Sequence, residues 1–251
     1  MTPPNVIISI ITVVRNGAST LENAIASAAM HGCPGVEYIV IDGGSTDGTV
    51  ELIKQHANTI NLWVSEPDRG LYDAMNKGVR LAKGKWILFL GCDDELALNL
   101  SVVLPLLQDE HALYYGDSYW RHAKRTYDGP FTAAKLALTN ICQQGIFYPR
   151  QALDKYPFDL RYRYQADWVV NMQCFHDPAF AFRHLPHTIA IYNDVTGLSS
   201  VHADLVLEQD YPALMWRYFP WPIALWRSGI AFGGRALRKL GWKGRPAYTK
   251  R

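Results

Sequence analysis

Gly91-Cys92-Asp93-Asp94-Glu95 places two adjacent carboxylates directly after an apolar run, Trp86 to Leu90. Such a pair supplies hard oxygen ligands for a divalent cation, and that cation can neutralise a diphosphate. An acidic turn capping the next helix uses the same residues, so this segment alone leaves both readings open. Two more polar segments follow apolar runs. Asp42-Gly43-Gly44-Ser45-Thr46-Asp47-Gly48-Thr49 combines glycines, which permit close backbone approach, with Ser45, Thr46 and Asp47 as natural helix caps. Asp42 could accept from the N3–H of a pyrimidine base, and a turn built for geometry alone is the plain alternative. Ser65-Glu66-Pro67-Asp68-Arg69-Gly70 offers a carboxylate and a guanidinium at a helix start, where an anion is favoured.

The elements that must position these groups follow one rhythm. Val6 to Val14, Tyr38 to Ile41, Leu62 to Val64 and Trp86 to Leu90 read as strands, the first buried on both faces. Between them lie helices: one opened by a capping box, Ser19-Thr20-Leu21-Glu22, after an Asn16-Gly17 turn; one through Val50, Leu52 and Ile53; one presenting Tyr72, Met75, Val79 and Ala82 on a single face, with Gly84 as a left-handed stop. Alternating strands and helices imply crossover connections and a mostly parallel sheet with helices on both faces. In such a sheet ligands gather at the carboxyl ends of the strands, where the three polar segments fall. Beyond residue 110 the rhythm breaks. Ala112 to Tyr115, Ile146 to Tyr148 and Thr188 to Tyr192 read as strands, and Asp167 to Phe175 as a short helix, with Asp128-Gly129-Pro130 and Tyr156-Pro157 as turns.

A chain of 251 residues with 49% hydrophobic and 19% charged residues is a folded globular protein, not a disordered one. It carries no secretory leader and no apolar run of membrane-spanning length. Cys33, Cys92, Cys142 and Cys174 lack zinc spacing and suit reduced thiols of the cytosol. No G-x-G-x-x-G follows the first strand, which disfavours a dinucleotide-binding dehydrogenase.

Taken in order, four segments resemble the family 2 glycosyltransferases: Ile10-Ile11-Thr12-Val13-Val14-Arg15-Asn16, the 42–49 loop, Asp68-Arg69-Gly70-Leu71-Tyr72-Asp73-Ala74-Met75-Asn76-Lys77-Gly78, and Cys92-Asp93-Asp94. The third is similar to the branch acting in bacterial exopolysaccharide and lipopolysaccharide assembly. The resemblance implies the GT-A fold, a Rossmann-like α/β/α sandwich, over residues 1–210, with 1–110 holding the nucleotide-sugar and 111–210 building the acceptor side. It implies that Thr12, Val14 and Arg15 line the nucleotide pocket, that Asp42 reads a pyrimidine base, and that Asp68 and Arg69 flank nucleotide and sugar. Asp93 would contact ribose or donor sugar, and Asp94 would ligate Mn²⁺ or Mg²⁺. Cys92 departs from the first Asp of a strict Asp-x-Asp motif and lowers the ligand count.

Inverting displacement needs a base for the acceptor hydroxyl. Tyr164-Gln165-Ala166-Asp167-Trp168 matches the family's place for it, with Ala166 where a Glu is usual, so Asp167 is the expected base; a helix N-cap is its other reading. Asp117 and Asp159 read as turn residues. Gln143-Gln144 resembles an acceptor-site segment in which Gln143 replaces a His. Gly197-Leu198-Ser199-Ser200 with His202 resembles a loop over the donor phosphates, and His202 is either a further metal ligand or an exposed histidine. No Gln-x-x-Arg-Trp motif of the processive synthases occurs, which favours transfer of a single sugar to a glycan or lipid-linked acceptor. Two other classes are weighed: a nucleotide-sugar-binding scaffold without turnover, and a nucleotidyltransferase, for which Val14-Arg15-Asn16-Gly17-Ala18 is a poor phosphate loop.

Charge is distributed unevenly. Nine of the 25 Lys and Arg and none of the 23 Asp and Glu follow residue 210, so residues 1–210 carry 16 basic against 23 acidic groups, −7. Residues 211–251 interleave Trp, Tyr and Phe with these cations, a pattern suited to an anionic membrane surface; a C-terminal helix packed on the domain is its other reading. The acidic body would repel nucleic acid. The expected place is cytoplasmic, peripheral on the inner face of the plasma membrane.

Overall fold

A computed structural model describes residues 6–127, 129–195 and 202–229. Strand β1 (Ile8–Val14) is followed by α1 (Leu21–His31), β2 (Val36–Asp42), α2 (Thr49–Gln55), β3 (Leu62–Ser65), α3 (Leu71–Leu81), β4 (Trp86–Phe89) and the short β5 (Glu95–Leu96). The second half holds β6 (Ala112–Trp120), β7 (Arg125–Tyr127), α4 (Ala133–Leu136), β8 (Ile146–Pro149), α5 (Arg150–Lys155), α6 (Ala166–His176), β9 (Ala181–Tyr192) and α7 (Leu205–Tyr218), then a helical segment at 221–229.

The strands form one sheet in the order β3-β2-β1-β4-β8-β6-β9-β5, with β7 on β6. β1 pairs in parallel with β2 and β4, β2 with β3, and β6 with β9. β8 runs antiparallel between β4 and β6, and β5 lies antiparallel on β9. The expected mostly parallel α/β sandwich is what forms. β6 and β9 extend well beyond the runs read as strands from the sequence, because their outer residues alternate polar and apolar and carry little hydrophobic signal.

β1 explains the layering. Its residues are all buried, and they sort by parity: Ile11 and Val13 join a core with α3, α5 and α6, while Ile8, Ile10 and Val14 join one with α1 and α2. Burying one such side chain contributes about 1.5–3 kcal/mol, so the uninterrupted β-branched run commits this strand to the sheet centre. α3 lies close on it at Gly78, where a Cβ would stand 2.6 Å from Ile11 Cγ2.

The helix ends depart from local expectation. α1 has Thr20 at its N-cap and no side-chain cap bond, so the 19–22 capping box does not form. The expected turn before it carries a positive φ at Asn16, 53°. α3 stops at Ala82 in extended conformation; Gly84 is needed for space, since a Cβ there would lie 2.5 Å from Ser9 N. At α2 the N-cap position is Gly48, at φ 99°, while Asp47 Oδ1, one residue earlier, accepts from Thr49 N at 3.1 Å.

Candidate active site

The carboxyl ends of β1, β3 and β4 open on a cavity of about 600 Å³. One wall comes from the β1–α1 loop and the start of α3, a second from Gly91 to Asp94, and a third from residues 140–144 and the start of α6.

The loop at 42–49 does its work behind that wall. Asn16 N donates to Ser45 Oγ at 2.7 Å, Gly17 N to Thr49 Oγ1 at 3.0 Å, Ala18 N to Asp47 Oδ2 at 3.1 Å, and Thr46 N to Asn16 Oδ1 at 2.9 Å. These bonds set the backbone of the β1–α1 loop, whose Val14 and Arg15 face the cavity. Asp42 is fully buried: Gly44 N and Ser45 N donate to Oδ2 at 3.1 Å, Ser65 Oγ donates to it at 2.6 Å, and Ser45 Oγ donates to Oδ1. Thr12 is buried too, its hydroxyl accepting from Tyr38 OH at 3.0 Å. Both sit behind the cavity wall.

Asp68 faces the cavity over Gly43, where a Cβ would lie 2.2 Å from its Oδ2. Arg69 turns to Asp73 across the first turn of α3, with Nη2 2.9 Å from Oδ1, and its side chain is mostly exposed.

On the second wall, Asn193 holds both neighbouring carboxylates. Its N–H donates to Asp94 Oδ1 at 2.7 Å and its Nδ2 to Asp93 Oδ2 at 3.1 Å. Asp94 Oδ2 is buried without a hydrogen-bond partner. Burial, and then the charge of Asp93, push Asp94 up to about 8, a shift tempered by the Asn193 amide and the Gln144 side chain. Burial followed by the same two carboxylates pushes the Cys92 thiol up to about 12, leaving it a neutral thiol at neutral pH. Among the described residues no group of three or more His, Cys, Asp and Glu is clustered for a metal. Mg²⁺-type sites that serve phosphate substrates use one or two carboxylates and take their remaining oxygens from substrate and water. The Asp93-Asp94 pair, with one buried oxygen lacking a donor, fits that donor set.

The third wall holds Asp167, in the first turn of α6, where Gln165 and not Asp167 is the N-cap. Tyr72 OH donates to its Oδ1 at 2.6 Å and Asn140 Nδ2 to its Oδ2 at 2.5 Å. The chain continues inward: Asn171 Nδ2 donates to Asn140 Oδ1 at 2.8 Å, and Tyr148 OH to Asn171 Oδ1 at 2.9 Å. Every bond points its donor towards Asp167, which favours the carboxylate form. Gln143 and Gln144 line the same wall, the first donating to Met75 Sδ at 3.6 Å and the second accepting from Cys142 Sγ at 3.1 Å. His202 is exposed and stacks on the cavity residue Tyr164, ring centroids 4.9 Å apart. Residues 197–200 lie outside the described residues. Asp159 pairs with Arg161, and Asp117 with His184 and Gly129 N, away from the cavity wall.

The family model for glycosyl transferase family 2 matches residues 9–183. The chain belongs to that family. This family 2 glycosyltransferase is 38% identical over 205 residues to a PGL/p-HBAD biosynthesis glycosyltransferase of Mycobacterium tuberculosis, covering 78% of this chain and 80% of the relative. It is 30% identical over 99 residues to a cholesterol galactosyltransferase of Borreliella burgdorferi, spanning 39% of this chain and 28% of that protein. Among solved structures it superposes on Staphylococcus aureus TarS 1-349 in complex with UDP-GlcNAc, with a TM-score of 0.67 at 17% identity, over 83% of this chain and 64% of that one. Against a longer TarS chain it spans 38% of the length. The mannosyltransferase PcManGT of Pyrobaculum calidifontis, in complex with GDP-Man and Mn²⁺, gives a TM-score of 0.61 at 15% identity, over 93% and 79%. The fold is that of the GT-A glycosyltransferases, and this chain is a glycosyltransferase.

Tyr72, Asn140, Asn171 and Asn193 were not read from the sequence as site residues. Tyr72 carries a core-face signal, and the asparagines sit in segments whose motifs say nothing about a distant carboxylate. The one available signal was Asn171, a polar residue amid Val169, Val170 and Met172.

Proposed function

We propose that this enzyme is an inverting, non-processive glycosyltransferase that moves one sugar from a nucleotide-diphosphate sugar to a hydroxyl of a glycan or lipid-linked acceptor, in assembly of a bacterial surface glycan or glycolipid. The carrying observation is that Asp167 and the Asp93-Asp94 pair face one cavity from different walls. A carboxyl group that accepts from Tyr72 and Asn140 is thereby set against a site able to take a charged leaving group.

Val14, Arg15, Asp68 and Asp93 would bind the nucleotide-sugar, and Gln143 and Gln144 the acceptor. Asp94, with Asp93 beside it, would hold Mn²⁺ or Mg²⁺; the bound ion would neutralise charge developing on the diphosphate. Asp167 accepts the proton of the acceptor hydroxyl as its oxygen bonds to the anomeric carbon. The bond from that carbon to the diphosphate breaks, and the nucleoside diphosphate departs with the electron pair. Attack opposite the leaving group inverts the anomeric centre. Tyr72 and Asn140 fix the direction of the carboxylate, which is worth more than proximity alone.

UDP in the TarS complex supports a pyrimidine donor, and Mn²⁺ in the PcManGT complex supports the cation. Base reading by Asp42 requires the Gly44–Ser45 turn to open, since its carboxylate is enclosed in this structure. Thr12 and Arg69 would act from behind and beside the nucleotide.

The test is release of nucleoside diphosphate from a panel of UDP-, dTDP- and GDP-sugars, with Mn²⁺ or with EDTA. Metal-dependent release from one donor, lost in Asp94→Asn and in Asp167→Asn, is expected. Release of pyrophosphate, or binding with no turnover on any acceptor, would overturn the reading.

A further inference from the structure

The helical segment at 221–229 packs Ala224 and Ile223 on the core but leaves its larger apolar side chains to water. An ordinary surface helix buries its apolar side and gives its charges to water. Here Trp221 is 69% exposed, Leu225 54% and Trp226 46%, while Arg227 is only 5% exposed. The guanidinium of Arg227 is drawn inward by α7: Nη2 donates to Tyr211 OH at 3.3 Å and the group lies 5.3 Å from that ring's centre. Trp216, in the last turn of α7, adds a further indole, 53% exposed. No helix among the described residues is long and apolar enough to cross a membrane.

We propose that this exposed face is the enzyme's docking surface for an anionic lipid bilayer, with the indoles at the level of the headgroups. Three observations select that occupant. Tryptophan is the side chain that best suits the headgroup region, apolar in body with one N–H for water or ester oxygen. The chain from residue 211 onwards carries nine Lys and Arg and no Asp or Glu, whereas residues 1–210 carry −7, so an anionic surface attracts this end and repels the rest. The sequence beyond residue 210 is cationic without a compensating acid, which disfavours self-association of this end. The acidic body equally opposes a nucleic acid.

The surface is linked to the catalytic wall. Asp204, the N-cap of α7, accepts from Tyr164 N at 2.9 Å and Gln165 N at 3.3 Å, at the start of the helix that carries Asp167. α7 thus joins the docking face near its C-terminal end to the acceptor side of the cavity at its N-terminal end, which would bring a lipid-linked hydroxyl within reach of the site. That benefit rests on the proposed transfer reaction; the docking itself does not.

Flotation of the full chain with phosphatidylcholine vesicles, with or without phosphatidylglycerol, tests it. The wild type is expected to float with the anionic vesicles, to bind plain phosphatidylcholine far less, and to be released by salt. The combined variant Trp221→Glu, Leu225→Glu, Trp226→Glu is expected to lose about tenfold or more in vesicle binding. Its circular dichroism and donor hydrolysis should match the wild type, since all three side chains are exposed. If that variant fails to fold, Arg235→Gln, Arg238→Gln, Lys239→Gln is expected to weaken anionic-vesicle binding about tenfold instead. Absence of wild-type binding would overturn the proposal, as would unchanged binding by a folded variant of either kind. So would a lipid-free dimer in sedimentation velocity that the Glu variant dissociates, which would make the face a contact between copies. Loss of catalysis in Asp167→Asn with vesicle binding intact separates a failure of docking from a failure of the proposed reaction.

Discussion

The Tyr72 hydroxyl donates to Asp167 Oδ1 at 2.6 Å, across 95 positions of sequence. It joins the helix beside the donor wall to the helix that carries the proposed base. Burial, and then the Asp167 charge, hold the Tyr72 phenol well above its ordinary range, so it remains a donor at every working pH. Tyr72→Phe keeps the ring packed on Phe158, 5.1 Å away between centroids, and removes only this donor. The charged form of Asp167 then loses support, and the acidic limb of the pH–rate profile is expected to move to higher pH. The rate at neutral pH should fall roughly tenfold, against about 10²–10⁴-fold for Asp167→Asn. An unmoved acidic limb in Tyr72→Phe would remove Tyr72 from the mechanism.

Asn171 is fully buried and touches no cavity, yet it orients Asn140. Asn171→Leu leaves Tyr148 OH and Asn140 Oδ1 without their partners, at a cost of about 1–3 kcal/mol for each buried group. Thermal unfolding should register that loss. The turnover number should fall more than the Michaelis constant for the donor changes, because the defect lies at the base and not at the nucleotide.

Asp94 gives a pH signature in the metal-free protein. Folding raises its pKa from 3.8 to about 8, so between those values the folded chain keeps a proton that the unfolded chain has released. Its contribution to stability therefore declines as pH rises through that window and levels off above about 8. In EDTA, the melting temperature of Asp94→Asn is expected to gain on wild type across this range. Adding Mn²⁺ with UDP should stabilise wild type and leave the variant unmoved. Parallel melting curves with and without the cation would contradict the assignment.

Two glycines separate donor binding from stability. A Cβ at Gly43 would lie 2.2 Å from Asp68 Oδ2, so Gly43→Ala displaces that carboxylate and should raise the Michaelis constant for the donor, with little effect on turnover. At Gly78 the clash is with Ile11 in the core, and Gly78→Ala should cost about 1–3 kcal/mol in denaturant unfolding.

The sequence was most legible where one physical cause dominates. Apolar runs such as Val6 to Val14 have no competing reading, and the strands at 38–41, 62–64 and 86–90 follow the same logic. Local caps were less legible: Ser19 and Glu22 have capping chemistry, but tertiary bonds to Ser45, Asp47 and Thr49 fix the loop before them. Asp42 sits one residue before two glycines in a motif that suggests contact with a ligand, yet its carboxylate is consumed by Gly44, Ser45 and Ser65. The partners of Asp167 were hidden because Tyr72, Asn140 and Asn171 meet only after the sheet has closed. Sequence spacing has no handle on such a convergence.

β8 is the antiparallel strand between β4 and β6, and it is made late. During synthesis the edge of β4, Trp86-Ile87-Leu88-Phe89, stays open until residue 146 and its neighbours have left the ribosome. At about 5–20 residues per second, that is an interval of roughly 3–11 s. An apolar strand edge exposed for seconds is a template for pairing with the wrong chain. A pause in translation after residue 90 is therefore expected to raise the loss of this polypeptide to aggregation, and prompt elongation to lower it.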